Sequence, residues 1–295
     1  LSGNHSAAIT EDGTLWTWGY TGWYEPQVWP IPDSLCQCTP QKKLENAVSV
    51  CLGESNGAAI TSDGCLWLWG MNGYGQLLLD KSIDETNEPT KAMDNVRAVG
   101  IGGYNVAAVR NDGTLWTWGS NTFGHLGDGT IKDRSIPVKV LEHVESVKCS
   151  FYATAAVTED GKLWMWGKND WGQLGDGRDG MSAARLEPTL VMENVAEAAC
   201  GSDHTAAIRK DGSLWLWGDN RQHELGLALP EGDGCSIPFP FPDEAVYAEI
   251  VRARLEGFGP GTLEKTGENS WDPKTLSGLS VVRLLDLNGD GTDEL

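Results

Sequence analysis

The chain has 295 residues, long enough for one large all-β domain with a small appendage, and its 42 acidic against 22 basic residues leave a formal charge of −20. Such a field repels phosphate backbones and anionic lipid, and no Lys/Arg cluster offsets it, so nucleic acid is excluded as an expected partner. No apolar run approaches the roughly 18 residues that a membrane-spanning helix needs, so no membrane span is expected.

From its first residues onward the chain repeats itself. An Asp-Gly turn followed by an LWxWG block recurs at Gly13, Gly64, Gly113, Gly161 and Gly212, at spacings of 51, 49, 48 and 51 residues. The blocks hold ten of the fourteen tryptophans. Within each copy the order is constant. A proline (Pro40, Pro89, Pro137, Pro188) precedes by seven residues a small apolar residue (Ala47, Val96, Val144, Val195) that opens a short β-prone run. An Ala-Ala-Ile/Val segment follows, as at Ala58 to Ile60, and Asp-Gly then supplies the positive φ of a tight hairpin leading into LWxWG. On an extended strand the two tryptophans point to one face while Leu and the middle residue point to the other, so the strand is covered on both sides. The alanines of the preceding strand leave room for the indoles.

About 50 residues with three or four short strands and no helical period is one blade of a radial β architecture, in which indoles of successive sheets are hidden against one another. The expected fold class is therefore all-β, a β-propeller with five visible blades at about residues 1–30, 31–80, 81–130, 131–180 and 181–230. The propeller domain is expected to span 1–238 and a C-terminal segment 239–295.

After each LWxWG block comes a loop. Trp166-Gly167-Lys168-Asn169-Asp170-Trp171-Gly172-Gln173-Leu174-Gly175 resembles the WGxNxxGQLG signature of the regulator of chromosome condensation repeat family. Trp118 to Gly127 and Trp69 to Leu78 match well, Trp217 to Gly226 carries His223 in the glycine slot, and the first copy has decayed to Tyr20-Thr21-Gly22-Trp23. The resemblance covers roughly residues 1–226 and implies a ring that is typically seven-bladed. Because residue 1 lies after the first strand of its repeat, a truncated chain is expected. WD, kelch and Asp-box propellers fit less well, since their Trp-Asp, paired-glycine and spaced Asp-Gly marks are missing.

One column stands out: Trp23, Tyr74, Phe123 and Trp171, the aromatic before the signature glycine. In loops at one end of a propeller these rings either pack between adjacent blades or hold a protein or glycan partner. His5 and His204 share another slot, filled elsewhere by Asn56, Asn105 and Ala153, and are expected to serve hydrogen bonding rather than metal. Of the seven cysteines only Cys36 and Cys38 form a tight pair, and no zinc spacing exists. Cys149 and Cys200 share the slot of Leu52 and Ile101, the signature of buried thiols.

Beyond residue 226 the composition shifts. Pro238 to Pro242 reads as a linker, 243–256 as a short amphipathic helix and 279–285 as a strand. The strand runs into Asp286-Leu287-Asn288-Gly289-Asp290-Gly291-Thr292-Asp293-Glu294. This is either an Asp/Gly-rich surface turn or a calcium loop, with oxygen ligands at positions 1, 3 and 5 and a glycine at 6 for the sharp bend. It looks like the loops of dockerins and integrin-type repeats, and that resemblance implies Ca²⁺ held by Asp286, Asn288, Asp290, the Thr292 carbonyl and Glu294.

No GxSxG elbow, HExxH or phosphate-cradling GxxxxGK occurs, so no catalytic residue is nominated and the chain is read as a non-enzyme. The leading expectation is a secreted or cell-surface bacterial binding propeller. The alternatives are a regulator, either a guanine nucleotide exchange factor or an enzyme-inhibitor propeller as some relatives are, and a glycan-active enzyme.

Overall fold

The computed structural model of the protein describes residues 5–20, 36–80, 82–180, 183–221, 225 and 239–240. Trp23, the candidate helix at 243–256, the strand at 279–285 and the loop ligands Asp286, Asn288, Asp290, Thr292 and Glu294 lie outside the described residues.

The strand-forming runs fold as five antiparallel meanders. Sheet 1 holds β1 (His5–Ile9), β2 (Leu15–Tyr20) and β3 (Cys36–Leu44), and sheet 2 holds β4 (Ala47–Leu52), β5 (Asn56–Thr61), β6 (Leu66–Met71) and β7 (Glu85–Met93). Sheet 3 runs β8 (Val96–Ile101), β9 (Asn105–Arg110), β10 (Leu115–Gly119), β11 (Arg134–Leu141). Sheet 4 runs β12 (Val144–Cys149), β13 (Ala153–Thr158), β14 (Leu163–Gly167), β15 (Arg185–Met192). Sheet 5 runs β16 (Val195–Cys200), β17 (His204–Arg209), β18 (Leu214–Gly218), β19 (Phe239–Pro240). One sheet gives way to the next at residues 45–46, 94–95, 142–143 and 193–194, a phase of the period set by pairing. The strands β4, β8, β12 and β16 touch one another in succession, which puts them innermost, and consecutive sheets pack face to face. This is the blade arrangement of a β-propeller, and no helix occurs among the described residues.

The Asp-Gly hairpin differs in detail from the two-residue turn the dipeptide suggests. Only the glycine has positive φ, +79° at Gly13 and Gly113. The carbonyl three residues earlier accepts its N–H, as in Gly13 N to Thr10 O at 2.8 Å, while Thr10 N reaches Thr14 O at 3.0 Å. That pattern is a three-residue loop with the glycine as a bulge. The aspartate explains the choice. Its carboxylate accepts from the N–H two residues on and from a threonine hydroxyl, at 3.0 and 2.7 Å for Asp12. Bonds from Thr61 and Cys65 hold the Asp63 pKa down to about 2, and at Asp160 the Lys162 ammonium first and the Thr158 hydroxyl second lower it to about 2 as well, a hydrogen-bonding effect on the charged form.

Between sheets, the two tryptophans of a block have different fates. The second is buried, with Trp69 at 2% and Trp118, Trp166 and Trp217 at 0% exposure, whereas Trp67, Trp116, Trp164 and Trp215 are half-buried. Nor do indoles stack on indoles, as the sequence suggested. Each buried tryptophan packs against the aliphatic face of the preceding sheet: Trp118 joins Leu66, Leu68 and Leu77, and Trp217 joins Leu163, Met165 and Leu174. The reason is the strand period. Leu and the middle residue of LWxWG line the opposite face from the tryptophans, so a stack in one direction always sets one face kind against the other. Trp18, with no earlier sheet among the described residues to cover it, stays half-buried. Burying one indole removes roughly 150–250 Å² from water, a gross gain of about 4–6 kcal/mol before ordering costs.

Sheets 2, 3 and 4 are each tied to the next at both ends. At the Asp-Gly end, Val96 N donates to Gly64 O at 2.9 Å and Val144 N to Gly113 O at 2.9 Å. At the other end the buried indole N–H donates to the carbonyl of the polar residue that follows the signature glycine in the preceding sheet. Trp118 Nε1 meets Gln76 O at 2.9 Å, Trp166 Nε1 meets His125 O at 3.0 Å, and Trp217 Nε1 meets Gln173 O at 3.0 Å. An indole N–H that would otherwise be orphaned thereby fixes the signature loop on its neighbour.

Candidate binding face

The signature loops are built by their asparagine. Asn121 Oδ1 accepts from Leu126 N at 2.9 Å and Asn169 Oδ1 from Leu174 N at 2.9 Å, while each Nδ2 crosses to the far side of the loop, reaching Asp128 and Asp176 at 3.1 and 3.0 Å. The turn closes on the signature glycine, with Gly75 N donating to Asn72 O at 2.8 Å and Gly124 N to Asn121 O at 3.0 Å. The residue before that glycine is thus held at the loop tip, where Tyr74, Phe123 and Trp171 stand. Gln76 and Gln173 brace the tip, since their Oε1 accepts from Tyr74 N and Trp171 N at 2.9 Å in both cases.

The turns joining the two innermost strands of a sheet reach the same end. Ser120 N donates to Tyr104 O at 3.0 Å and Lys168 N to Tyr152 O at 2.8 Å. These turns bring Tyr104, Phe151 and Tyr152 beside the loop-tip aromatics. A continuous band results: Tyr74 to Tyr104 with centroids 5.4 Å apart, Tyr104 to Phe151 at 5.9 Å, Phe151 to Tyr152 at 4.9 Å, and Tyr152 to Phe123 at 4.7 Å. It crosses sheets 2, 3 and 4. The rings are half-buried and Tyr74 is 40% exposed, so they pack between blades and face solvent together. Lys168 Nζ sits over the band, 5.9 Å from Phe123 and 5.6 Å from Tyr152, and is paired with Asp170 and Asp203. Trp171 stands apart from the band with the Arg221 guanidinium 3.6 Å above its ring.

Of the column read from sequence, the fold therefore unites Tyr74 and Phe123, leaves Trp171 on its own cation, and says nothing of Trp23. Tyr104, Phe151 and Tyr152 were not singled out from sequence. Their only signal is a slot immediately before the His/Asn column, where Tyr104 and Tyr152 recur.

Beneath the band lies His125, which replaces the signature glutamine. It is 2% exposed, its Nδ1 has no hydrogen-bond partner among the described residues, and its ring is 6.3 Å from Tyr152. Burial lowers its pKa to about 4, against a smaller upward pull from its bond to the Ser120 backbone, so it is neutral at pH 7. His5, likewise buried, is shifted down by burial and bonds the Asn56 backbone. Cys51, Cys65, Cys149 and Cys200 are free thiols, and desolvation pushes Cys149 and Cys200 up to about 12, which leaves them protonated and inert. Among the described residues no group of three or more His, Cys, Asp or Glu side chains is placed to hold a metal. Nor is any described helix long and apolar enough to cross a membrane.

Comparison with solved structures returns the same fold. The chain is similar to the structure of Kap60 bound to yeast RCC1 (Prp20), at 21% identity and a TM-score of 0.70, covering 82% of this chain and 60% of that one. A second structure of Prp20p from Saccharomyces cerevisiae, described with its binding to Gsp1p and histones, gives 22% identity, a TM-score of 0.68 and coverages of 82% and 62%. Human WBSCR16 gives 21%, 0.67, 82% and 66%. The chain thus spans about three-fifths to two-thirds of the length of these structures. Residues 1–253 match the sequence profile of the RCC1-like domain, and with five in-phase signature blocks and the sheets they build, the chain belongs to that family.

Proposed function

We propose that this chain is a non-catalytic binding propeller that docks a protein partner on the end carrying the aromatic band. The observation that carries the reading is the band itself: five rings drawn from three sheets, joined by tilted and edge-to-face contacts and half-open to solvent. Aromatic clusters of this kind dominate contact hot spots, because large rigid rings give up little entropy on burial. A scaffold whose indoles lock each sheet to the next presents them without reorganisation cost. The yeast relatives, described with Kap60, Gsp1p and histones, lend the same sense of a protein-binding fold.

The test is a comparison of two variants in a pull-down. Tyr74→Ala with Phe151→Ala opens the band, and Trp116→Phe with Glu11→Gln alters the rest of the molecule. A specific protein retained by the second variant and the parent but lost by the first supports the reading. Retention by both overturns it. A small GTPase held only in its nucleotide-free form would narrow the role to exchange factor, and product release from a polysaccharide panel would replace the reading with a glycan-active enzyme.

The finer proposal is a secreted or cell-surface bacterial scaffold with Ca²⁺ at Asp286, Asn288, Asp290, Thr292 and Glu294. It rests on the ligand spacing alone. Chelation is expected to lower the melting temperature of the whole chain, and identical melting with and without chelator removes the metal.

A further inference from the structure

Three places on the band's end of the molecule combine ring faces with a carboxylate, and in two of them a cation of the chain fills the combination. Arg221 lies 3.6 Å from the Trp171 ring while its Nε and Nη2 donate to the Asp219 carboxylate at 2.7 to 3.0 Å. Lys168 lies over Phe123 and Tyr152 and pairs with Asp170 at 3.3 Å and Asp203 at 3.5 Å. The third place is the corner of Tyr74 and Tyr104, whose rings are inclined by 48°, with Phe151 set edge-on to Tyr104 at 85°. Glu54, in the turn between β4 and β5, is beside it: Ser55 O accepts from Met71 N at 3.3 Å at the root of the Tyr74 loop, Gly53 packs against Ile101 and Gly102 just before Tyr104, and the carboxylate's charge, after burial, raises the Tyr104 phenol. Burial also pushes Glu54 itself upward, and it has no hydrogen bond or ion pair among the described residues. No described cation covers this corner.

We propose that the Tyr74–Tyr104 corner, with the Glu54 carboxylate, receives an arginine side chain from a basic segment of the protein partner. The inference rests on the reading of this end as a protein-docking face. A ring face attracts a cation through its quadrupole, and a carboxylate beside it neutralises the charge and fixes the orientation. Arginine suits the corner better than lysine, because a planar guanidinium stacks on a ring while its edge donates two parallel bonds to a carboxylate. At larger range, the formal charge of −20 draws a basic segment toward the chain.

The probe is a fluorescein-labelled Gly-Arg-Gly-Arg-Gly-Arg-Gly peptide and its counterpart with citrulline for arginine, which keeps the shape and removes the charge. Both are titrated by anisotropy against the whole chain at about 150 mM salt. The arginine peptide is expected to bind at least about tenfold tighter, and Tyr74→Ala and Glu54→Gln each to weaken it by roughly 3- to 10-fold. Glu11→Gln, which removes an equal charge at the opposite end, is expected to leave it unchanged. Circular dichroism of each variant checks folding. Equal affinity for the two peptides overturns the proposal, as does equal weakening by Glu54→Gln and Glu11→Gln, which would mean attraction to the general field. A citrulline peptide that binds as tightly and is lost with Tyr74→Ala removes the cation while leaving the docking face intact. Failure of that face is read separately, from the pull-down.

Discussion

His125 shows how one side chain departs from its repeat. The neighbouring copies place Gln76 and Gln173 in its slot, where each amide braces the loop tip through a bond to the aromatic residue's N–H. An imidazole is buried there instead, with a pKa of about 4 against an ordinary 6.5. The unfolded chain therefore binds the extra proton first, and stability is lost as pH falls from about 6.5 through 4. The loss approaches about 3 kcal/mol at the bottom of that window. His125→Gln is expected to remove this part of the acid sensitivity, seen as a flatter midpoint in urea titrations between those pH values, and a parallel acid dependence in parent and variant would refute it. The same slot shows what was legible at this scale. The column of Tyr74, Phe123 and Trp171 could be read because the period aligns it, whereas Tyr104, Phe151 and Tyr152 become partners only when turns of different sheets meet.

For the strand, position within LWxWG decides the energetics. Trp166 is fully buried and its Nε1 donates across the sheet interface to His125 O, whereas Trp164 is half-buried and its Nε1 has no hydrogen-bond partner among the described residues. Trp166→Phe leaves a void and removes one of the two hydrogen bonds that His125 O accepts, the other coming from Thr154 Oγ1 at 2.8 Å, and is expected to cost about 2–3 kcal/mol in chemical denaturation. Trp164→Phe is expected to cost less than about 1 kcal/mol. The closing glycine of the block is as constrained. Gly119 has φ +105°, and a Cβ there would stand 2.4 Å from Tyr104 O. Gly119→Ala is expected to lose roughly 3 kcal/mol or more, while Gly73→Ala, with open space around it, stays within about 0.5 kcal/mol. Equal midpoints for these two variants would contradict the packing described. The strands, their order and their faces could be anticipated from the period-2 pattern. The bulged hairpin could not, because Asp-Gly serves both loop lengths.

Taken whole, the molecule is a stack of similar sheets carrying a formal charge of −20. Its ion pairs are largely superficial, such as Lys42 with Glu45 at 49% and 70% exposure, and pairs of this kind contribute little. Self-repulsion therefore outweighs them, and screening it should stabilise the fold. Raising sodium chloride from about 10 mM to 0.15 M is expected to raise the melting temperature by roughly 2–5 °C; a fall would mean that the surface pairs matter more than the net charge.

The sequence by itself determined that the chain is a tandem β-propeller repeat, which strand follows which, and that an aromatic occupies one slot in four of the five signature loops, because these properties repeat along the chain at a fixed period. Only the tertiary structure decided that the second indole is the buried one in four of the five blocks, that it meets leucines rather than another indole, and that rings from three sheets merge beside an uncovered Glu54. Those outcomes depend on contacts between copies about 50 residues apart, and a local pattern carries no information about which neighbour a side chain will face.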